Sequence, residues 1–445
     1  MSEQPGHKVR THDRAAVPAD WPGRRATAPF DAANAEWARR VSPGDWANPT
    51  PAARYHLVVI GGGTAGLVSA AIAAGLGARV ALIERDAMGG DCLNVGCVPS
   101  KAVIRAARAW HDARAAADAF GAPGVAGRGD SSTALARMRR LRAELSEVDS
   151  AARYRSLGAD VFFGDARFLA ADAIAVGGEV LRFRRAIVAT GARAAIPPIP
   201  GLDTTPFDTN ETIFSLTDVP RHLVVIGGGP IGVELAQAFA RLGASVTLLH
   251  ADRTLLPRED PEAGRLVAQA MSADGVAVHA EAGIREVRWA DGLFSLRTDA
   301  PGPELRGERL LVATGRRPNI EDLGLEAAGI ASTPRGITVD DRLRTTNRRV
   351  FAIGDVASPL QFTHVADAQA RLAVANALFF GLGGGRNSTM VIPRVTYTSP
   401  EVATVGLTEA DALATGHAVE TVMVPMAEVD RAVLDGEASG FLKLT

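Results

Sequence analysis

Cysteine is close to absent. The chain holds two in 445 residues, Cys92 and Cys97. That excludes a disulfide framework. It also leaves a structural zinc short of its three or four donors, because no His or further Cys stands near the pair in sequence. An excess of charge is missing too. The formal net charge is −2 and the pI about 6.5, which gives no electrostatic ground for nucleic acid or an anionic membrane as a partner. Scarce cysteine fits a reducing cytoplasm. Residues 1–54 are rich in Arg, Pro, Ala and Asp and lack the apolar run of a signal peptide. They read as an N-terminal extension, either flexible or docked on the body through Trp21, Trp37 and Trp46. An unbroken membrane span is also lacking. Tyr55 to Ile83 has the length, but Gly61-Gly62-Gly63, Gly66, Gly75, Gly77 and Arg79 interrupt it. A strand, a helix and a second strand explain that stretch better.

The two cysteines that are present sit in Gly-Gly-Asp-Cys-Leu-Asn-Val-Gly-Cys-Val-Pro-Ser-Lys, Gly89 to Lys101. A disulfide closing so short a loop removes little entropy from the unfolded chain, so the pair is no stability device. Its spacing points to redox work. Pro99 suits the first turn of a helix. Cys97 then lies at a helix N-terminus, where the dipole favours the thiolate. Lys101, four residues on, shares its face.

The sequence is internally duplicated. His56-Leu57-Val58-Val59-Ile60 runs into Gly61-Gly62-Gly63-Thr64-Ala65-Gly66. His222-Leu223-Val224-Val225-Ile226 runs into Gly227-Gly228-Gly229-Pro230-Ile231-Gly232. Each is a strand, a Gly-x-Gly-x-x-Gly turn and an Ala/Leu-rich helix, followed by a second strand (Val80–Ile83 and Val246–Leu249). Glycines there let the backbone approach a pyrophosphate at the helix N-terminus. Glu84 closes the first copy, placed for a ribose diol; His250 stands in its place in the second. Without a carboxylate at that point, a 2′-phosphate is not repelled and Arg253 or Arg258 can meet it, which favours NADPH mildly; Asp252 can serve a ribose instead, so NADH stays open. Ala189-Thr190-Gly191 and Ala313-Thr314-Gly315 put small residues at strand ends, and Val350 to Asp355 is another strand ending in Gly354-Asp355. Two dinucleotide sites beside a thiol pair imply nicotinamide, flavin and disulfide in series, because hydride and thiol chemistry need a carrier that handles both.

These motifs together resemble the pyridine nucleotide–disulfide oxidoreductases. Pro197-Pro198-Ile199-Pro200-Gly201, Gly315-Arg316-Arg317-Pro318-Asn319 and Tyr397 to Gly406 extend the likeness over roughly Tyr55 to Thr445. Within the family, Glu234 to Gly243, Arg258-Glu259-Asp260-Pro261 and the cysteine motif look most like the mercuric reductase branch, without its N-terminal metal-binding domain. Asp91 departs from the family by standing where Thr is more usual. The resemblance implies an α/β fold: two Rossmann-like dinucleotide-binding domains, for FAD and NAD(P)H, plus a C-terminal α+β dimerisation domain that is cut short. The boundaries read as 1–54 extension, 55–205 FAD-binding, 206–331 NAD(P)H-binding, 332–390 FAD-binding again and 391–445 partial dimerisation domain.

It also implies roles. FAD contacts fall to Gly61, Gly63, Thr64, Ala65, Gly66, Glu84, Gly90, Thr190, Gly191, Gly354 and Asp355, and nicotinamide-cofactor contacts to Gly227, Gly229, Ile231, Gly232 and Gly315. Cys97 is the thiolate against the flavin and Cys92 the interchange thiol. Lys101 and Glu234 form an ion pair by the flavin. The expected activity is a cytoplasmic, homodimeric NAD(P)H oxidoreductase passing electrons to a disulfide or a soft metal ion such as mercury(II). A dihydrolipoyl dehydrogenase-like enzyme and a non-catalytic flavin-binding redox sensor are the alternatives. No His follows His417 and no Cys follows Cys97. The family's C-terminal acid–base His and the metal thiols of the mercuric branch are therefore expected to lie outside this sequence, in a shortened form of the protein. Finally, helices are expected over Arg105–Ala117 and Ala134–Tyr154, with Arg137, Arg139, Arg140 and Arg142 on a solvated face.

Overall fold

A computed structural model describes residues 16–125, 129–300, 302–379 and 385–445. Along the chain, α1 (Ala32–Val41) precedes β1 (Tyr55–Ile60), α2 (Thr64–Gly75), β2 (Val80–Glu84), α3 (Gly90–Val95), α4 (Cys97–Phe120), α5 (Ser131–Leu145) and α6 (Ala151–Ser156). Then come β3 (Ala159–Phe163), β4 (Arg167–Ala170), β5 (Ala173–Val176), β6 (Glu179–Val188) and β7 (Ala192–Ala194). The second copy supplies β8 (His222–Ile226), α7 (Pro230–Arg241), β9 (Ser245–Leu249), α8 (Pro261–Ala273), β10 (Val276–His279), β11 (Ile284–Ala290), β12 (Leu293–Thr298), β13 (Leu305–Gly307) and β14 (Arg309–Val312). There follow β15 (Arg316–Pro318), β16 (Ser332–Thr333), β17 (Gly336–Ile337), β18 (Val350–Ala352), α9 (Thr363–Leu378), β19 (Pro393–Thr396), β20 (Val402–Val405), α10 (Glu409–Ala414), β21 (Val422–Pro425), α11 (Asp430–Leu434) and β22 (Phe441–Leu444).

The first sheet runs β3-β2-β1-β6-β5-β4, with β18 added beside β6. Strands β3, β2, β1, the end of β6 and β18 are parallel, while β4 and β5 fold back antiparallel. Both faces of the parallel part are covered, which is why β1 reads as an unbroken apolar run rather than an alternation. Alanines let two helices approach closely on one face: Ala65, Ala70 and Ala73 of α2 and Ala366, Ala370 and Ala373 of α9 share one buried cluster. Strand β18 and α9 therefore return residues near 350–378 to the first sheet.

The second sheet, β10-β9-β8-β14, is parallel throughout. The antiparallel β11-β12-β13 layer packs on it through Val287, Phe294 and Leu296 against Val224 and Ile226. The short pair β7–β15 ties the two halves together.

Two expectations need correction. The helix read over 134–154 is two helices, α5 and α6. The turn between them is set by Ser150, whose hydroxyl accepts the Arg153 N–H (3.2 Å) and caps α6. The Arg cluster is not uniformly solvated either: Arg139 and Arg142 are buried. They turn inward because the N-terminal segment offers them carboxylate and carbonyl partners. Arg139 Nε donates to Asp31 (2.6 Å), and Arg142 donates to Asn34 Oδ1 (2.6 Å) and the Asn94 carbonyl (2.8 Å). All three flagged tryptophans of that segment meet the body or the segment's own turns. Trp37 is fully buried, the Trp46 indole donates to the Val161 carbonyl (3.1 Å), and Trp21 bonds within the segment to Arg25. Residues 1–15 lie outside the described set. In 391–445, β19–β20 and β21–β22 form two antiparallel pairs, and Val405, Leu413, Val422, Leu434 and Leu444 are exposed. Among the described residues no helix is long and apolar enough to cross a membrane.

Candidate active site

One cavity of about 980 Å³ joins both glycine turns to the cysteines. Its wall includes Gly61, Gly63, Thr64, Ala65, Glu84, Gly90, Cys92, Cys97, Lys101, Thr190, Gly191, Gly354 and Asp355 from one side. From the other it includes Gly227, Gly229, Ile231, Glu234 and Gly315. Two sequence-derived positions, Gly66 and Gly232, are not on the wall. Each supports its turn from behind: a Cβ on Gly66 would stand 1.8 Å from the Gly61 carbonyl oxygen, and one on Gly232 1.8 Å from that of Gly227. The third glycine thus lets helix and strand touch. Gly61 and Gly227 have φ of +107° and +119°, and a Cβ on either would lie 2.3 Å from the carbonyl of Ala189 or Ala313. Both turns leave a backbone-lined hollow at a helix N-terminus, the shape that a dinucleotide's pyrophosphate fills, so the residues present fit FAD and a nicotinamide cofactor.

The copies differ at their acid position. Glu84 is buried; its Oε2 accepts the Gly62 N–H (2.6 Å) and its Oε1 the Asp86 N–H (2.8 Å). Burial pushes its pKa up, against the pull of those two N–H groups. The carboxylate therefore shapes the turn as well as facing the cavity. His250 takes the equivalent place: its Nδ1 accepts the Gly228 N–H (3.1 Å). That leaves the proton on Nε2, which donates to the Thr254 carbonyl (3.0 Å). Asp252 and Arg258 line the cavity beside it, and Arg253 is exposed away from the wall.

Cys92 lies on α3, and Cys97 opens α4 after Gly96 breaks the chain direction (φ −132°, ψ −114°). Both are free thiols, half-buried. A hydrogen bond from the Cys92 thiol pulls the Cys97 pKa down to about 6; the Thr363 hydroxyl (3.1 Å) and Lys101 add to it, and burial opposes them. Cys92 is pushed up, first by that same hydrogen bond and then by burial. The thiolate therefore resides on Cys97, at the helix N-terminus that also favours it. Lys101 Nζ pairs with Glu234 Oε2 (2.8 Å) and sits 4.5 Å from the Tyr397 ring centroid. Glu234 Oε1 accepts the Tyr397 N–H (2.9 Å). The ion pair thus ties α4, α7 and the Tyr397 segment together.

Several site residues escaped the sequence. Thr363, against Cys97, is distant in sequence and carries no local signal. Asp91, flagged without a role, pairs with Arg316, whose Nε also meets Asp355 Oδ2 (3.1 Å). Burial works against the Arg316 charge, but the two carboxylates outweigh it and raise its pKa. Arg316 was visible only as part of a motif.

Comparison with known proteins agrees with this geometry. The family model "Pyridine nucleotide-disulphide oxidoreductase" matches residues 55–370, and its dimerisation domain matches 392–445. The chain is 40% identical to a mercuric reductase of Acidithiobacillus ferrooxidans, covering 87% of this chain and 71% of that one. It is also 40% identical to one of Shigella flexneri, over 87% and 70%. Among solved structures, the HOCl-induced flavoprotein disulfide reductase RclA from Escherichia coli is similar, with a TM-score of 0.75 and 31% identity over 87% of this chain and 86% of that one.

Proposed function

The chain belongs to the pyridine nucleotide-disulphide oxidoreductase family, and we propose from that premise that it uses NADPH, through FAD, to reduce the Cys92–Cys97 disulfide, whose dithiol then reduces a disulfide or mercury(II). The observation that carries this reading is the single cavity that places both glycine turns and both cysteines on one wall. FAD, when bound, supplies the chemistry that joins hydride transfer to thiol–disulfide exchange. Gly61 to Gly66 and the α2 N-terminus hold its pyrophosphate, and Gly227 to Gly232 with the α7 N-terminus hold that of NADPH. His250 puts an imidazole where the first copy has a carboxylate, and Arg258 offers a 2′-phosphate a charge, while Asp252, 3.4 Å from His250 Nε2, is the nearby carboxylate that a ribose would use instead.

The thiols act in sequence. The Cys92 sulfur attacks a substrate disulfide; a Cys92–substrate bond forms, the substrate S–S bond breaks, and the Cys92 proton goes to the departing substrate sulfur, which leaves as a thiol. The Cys97 thiolate then attacks Cys92 sulfur, restoring the Cys92–Cys97 disulfide and releasing the second substrate sulfur as a thiolate. With mercury(II), both sulfurs bind the ion as thiolates and pass it two electrons, so that elemental mercury leaves and the Cys92–Cys97 disulfide re-forms. Lys101 keeps positive charge beside the Cys97 thiolate and is itself held by Glu234. The exposed apolar side chains of 391–445 suit burial in a homodimer. We place the protein in the cytoplasm, where scarce cysteine and a redox-cycling rather than structural pair are the rule.

The test is NADPH oxidation by purified protein with mercury(II) plus excess small thiol, set against oxidised glutathione and lipoamide as disulfides. Turnover with mercury(II) or one disulfide, lost in both Cys92→Ser and Cys97→Ser, supports the reading. Turnover that survives either substitution contradicts it.

A further inference from the structure

Residues 16–54 precede the segment matched by the family model, yet they are built into the cysteine site. Helix α3, which carries Cys92, is six residues long and starts at Gly89 without a side-chain cap. So short a helix does not hold its own orientation in water; something outside must set it. Its buried polar side chain is Asn94, between the two cysteines. Asn94 Oδ1 accepts the Trp37 indole N–H (2.8 Å), and Asn94 Nδ2 donates to the Met88 carbonyl (3.0 Å). The Met88 N–H in turn donates to the Val41 carbonyl (2.8 Å), back on the N-terminal segment. Arg142, which grips the Asn94 carbonyl, is itself oriented by Asn34 and lies 5.1 Å from the Trp37 ring centroid. Further along, Arg25 pairs with Asp86 (2.7 Å) and lines the cavity beside Glu84.

We propose that the N-terminal segment is a strap that positions the redox pair: Trp37, acting through Asn94, sets the orientation of α3 and so of Cys92 against Cys97. Trp37 touches neither sulfur and is a positioning residue. Loss of its N–H leaves a buried Asn94 oxygen without its partner, a cost that α3 relieves by turning. Turning α3 moves the Cys92 thiol relative to Cys97, and with it the contact that favours the thiolate on Cys97. The proposal rests on Cys92 and Cys97 being the redox pair.

The experiment measures iodoacetamide alkylation of Cys97 against pH in dithiothreitol-reduced full-length protein, wild type and Trp37→Phe, with FAD affinity of each by fluorescence titration. Trp37→Phe keeps the ring and removes only the donor. The expected result is a Cys97 pKa higher by about one unit, a roughly tenfold loss of thiolate on the acid side of the transition. An unchanged Cys97 pKa, whether or not melting temperature falls, overturns the strap. Hydrogen exchange on the wild type needs no variant: Ala32–Val41 should exchange at different rates in oxidised and dithiothreitol-reduced protein, because coupling between α3 and the strap is reciprocal. Equal rates would overturn it also. Chemical reduction keeps this test separate from the proposed function, whose failure would show as wild-type cysteines that NADPH does not reduce.

Discussion

The two glycine turns are built alike and finished differently. Their hidden geometry matches: the third glycine of each would clash with the first glycine's carbonyl at 1.8 Å, and each first glycine presses on an Ala carbonyl at 2.3 Å. The surroundings diverge. Gly63 lies against Gly90 of the cysteine segment and bridges to Gly89, so the first turn is closed over by α3. Nothing lies within 4 Å of a Cβ built on Gly229, so the second turn is uncovered at the position where α3 covers the first, while His250 and Leu255 press on Gly228 from the other side. A hollow covered by α3 with a buried Glu84 suits a resident flavin, and one uncovered at Gly229 with His250 at the acid position suits a cofactor that comes and goes. The same backbone device is thus finished differently in the two places, and the difference comes from what packs over it.

The largest test of that contrast is a methyl group on each third glycine. Gly66→Ala should cost about 3 kcal/mol through overpacking and yield protein with little flavin absorbance. Gly232→Ala should keep its flavin but lose about a hundredfold in the rate of flavin reduction by NADPH in stopped flow. Flavin loss from both variants alike would break the division of labour.

The ion pair that bridges the halves gives the next largest effect. Lys101→Met leaves Glu234 buried beside the Tyr397 N–H without its cation, and should cost about 3 kcal/mol in denaturant melts with a tenfold or greater fall in turnover. Glu234→Gln leaves Lys101, which is 36% exposed, able to hydrate, and should cost about 1 kcal/mol. Equal costs would remove the asymmetry of burial on which the prediction stands.

Making the second copy like the first is a finer probe. His250→Glu restores an acceptor for the Gly228 N–H while adding a charge. The ratio of kcat/KM for NADPH over NADH should fall about tenfold, about 1.4 kcal/mol of discrimination. An unchanged ratio would move the specificity away from His250.

The smallest effect is in pH. Cys97 has a lowered pKa, so its thiolate stabilises the folded state in full above the ordinary thiol value, about 8.5, and progressively less down to about 6. Ultraviolet thiolate absorbance of the reduced protein should be half lost near pH 6, and Thr363→Val should move that midpoint upward.

The sequence made the skeleton of this site readable because its parts are local. A glycine turn between a strand and a helix, or two cysteines five apart, are patterns that elementary sterics and electrostatics read directly. Glu84 and Lys101 follow such patterns at fixed offsets. Thr363, Arg316 and Trp37 do not: each reaches its partner across 57 to 266 positions of chain, and only folding shows the meeting. The Arg cluster of α5 misled for the same reason. Its pattern looked like a solvated face until the N-terminal segment supplied Asp31 and Asn34 as partners. Asp91 was conspicuous, but its meaning needed Arg316 beside it.

Electrons are expected to pass from the Gly227–Gly232 turn, by way of the Gly61–Gly66 turn, to Cys92 and Cys97. Anaerobic titration of the oxidised, flavin-loaded protein with NADPH, counting thiols that react with a disulfide dye after denaturation, tests it directly. Two thiols should appear per chain with the first equivalent of NADPH, and neither should appear in Gly232→Ala on the same timescale. Bleaching of the flavin with no new thiols would contradict the account.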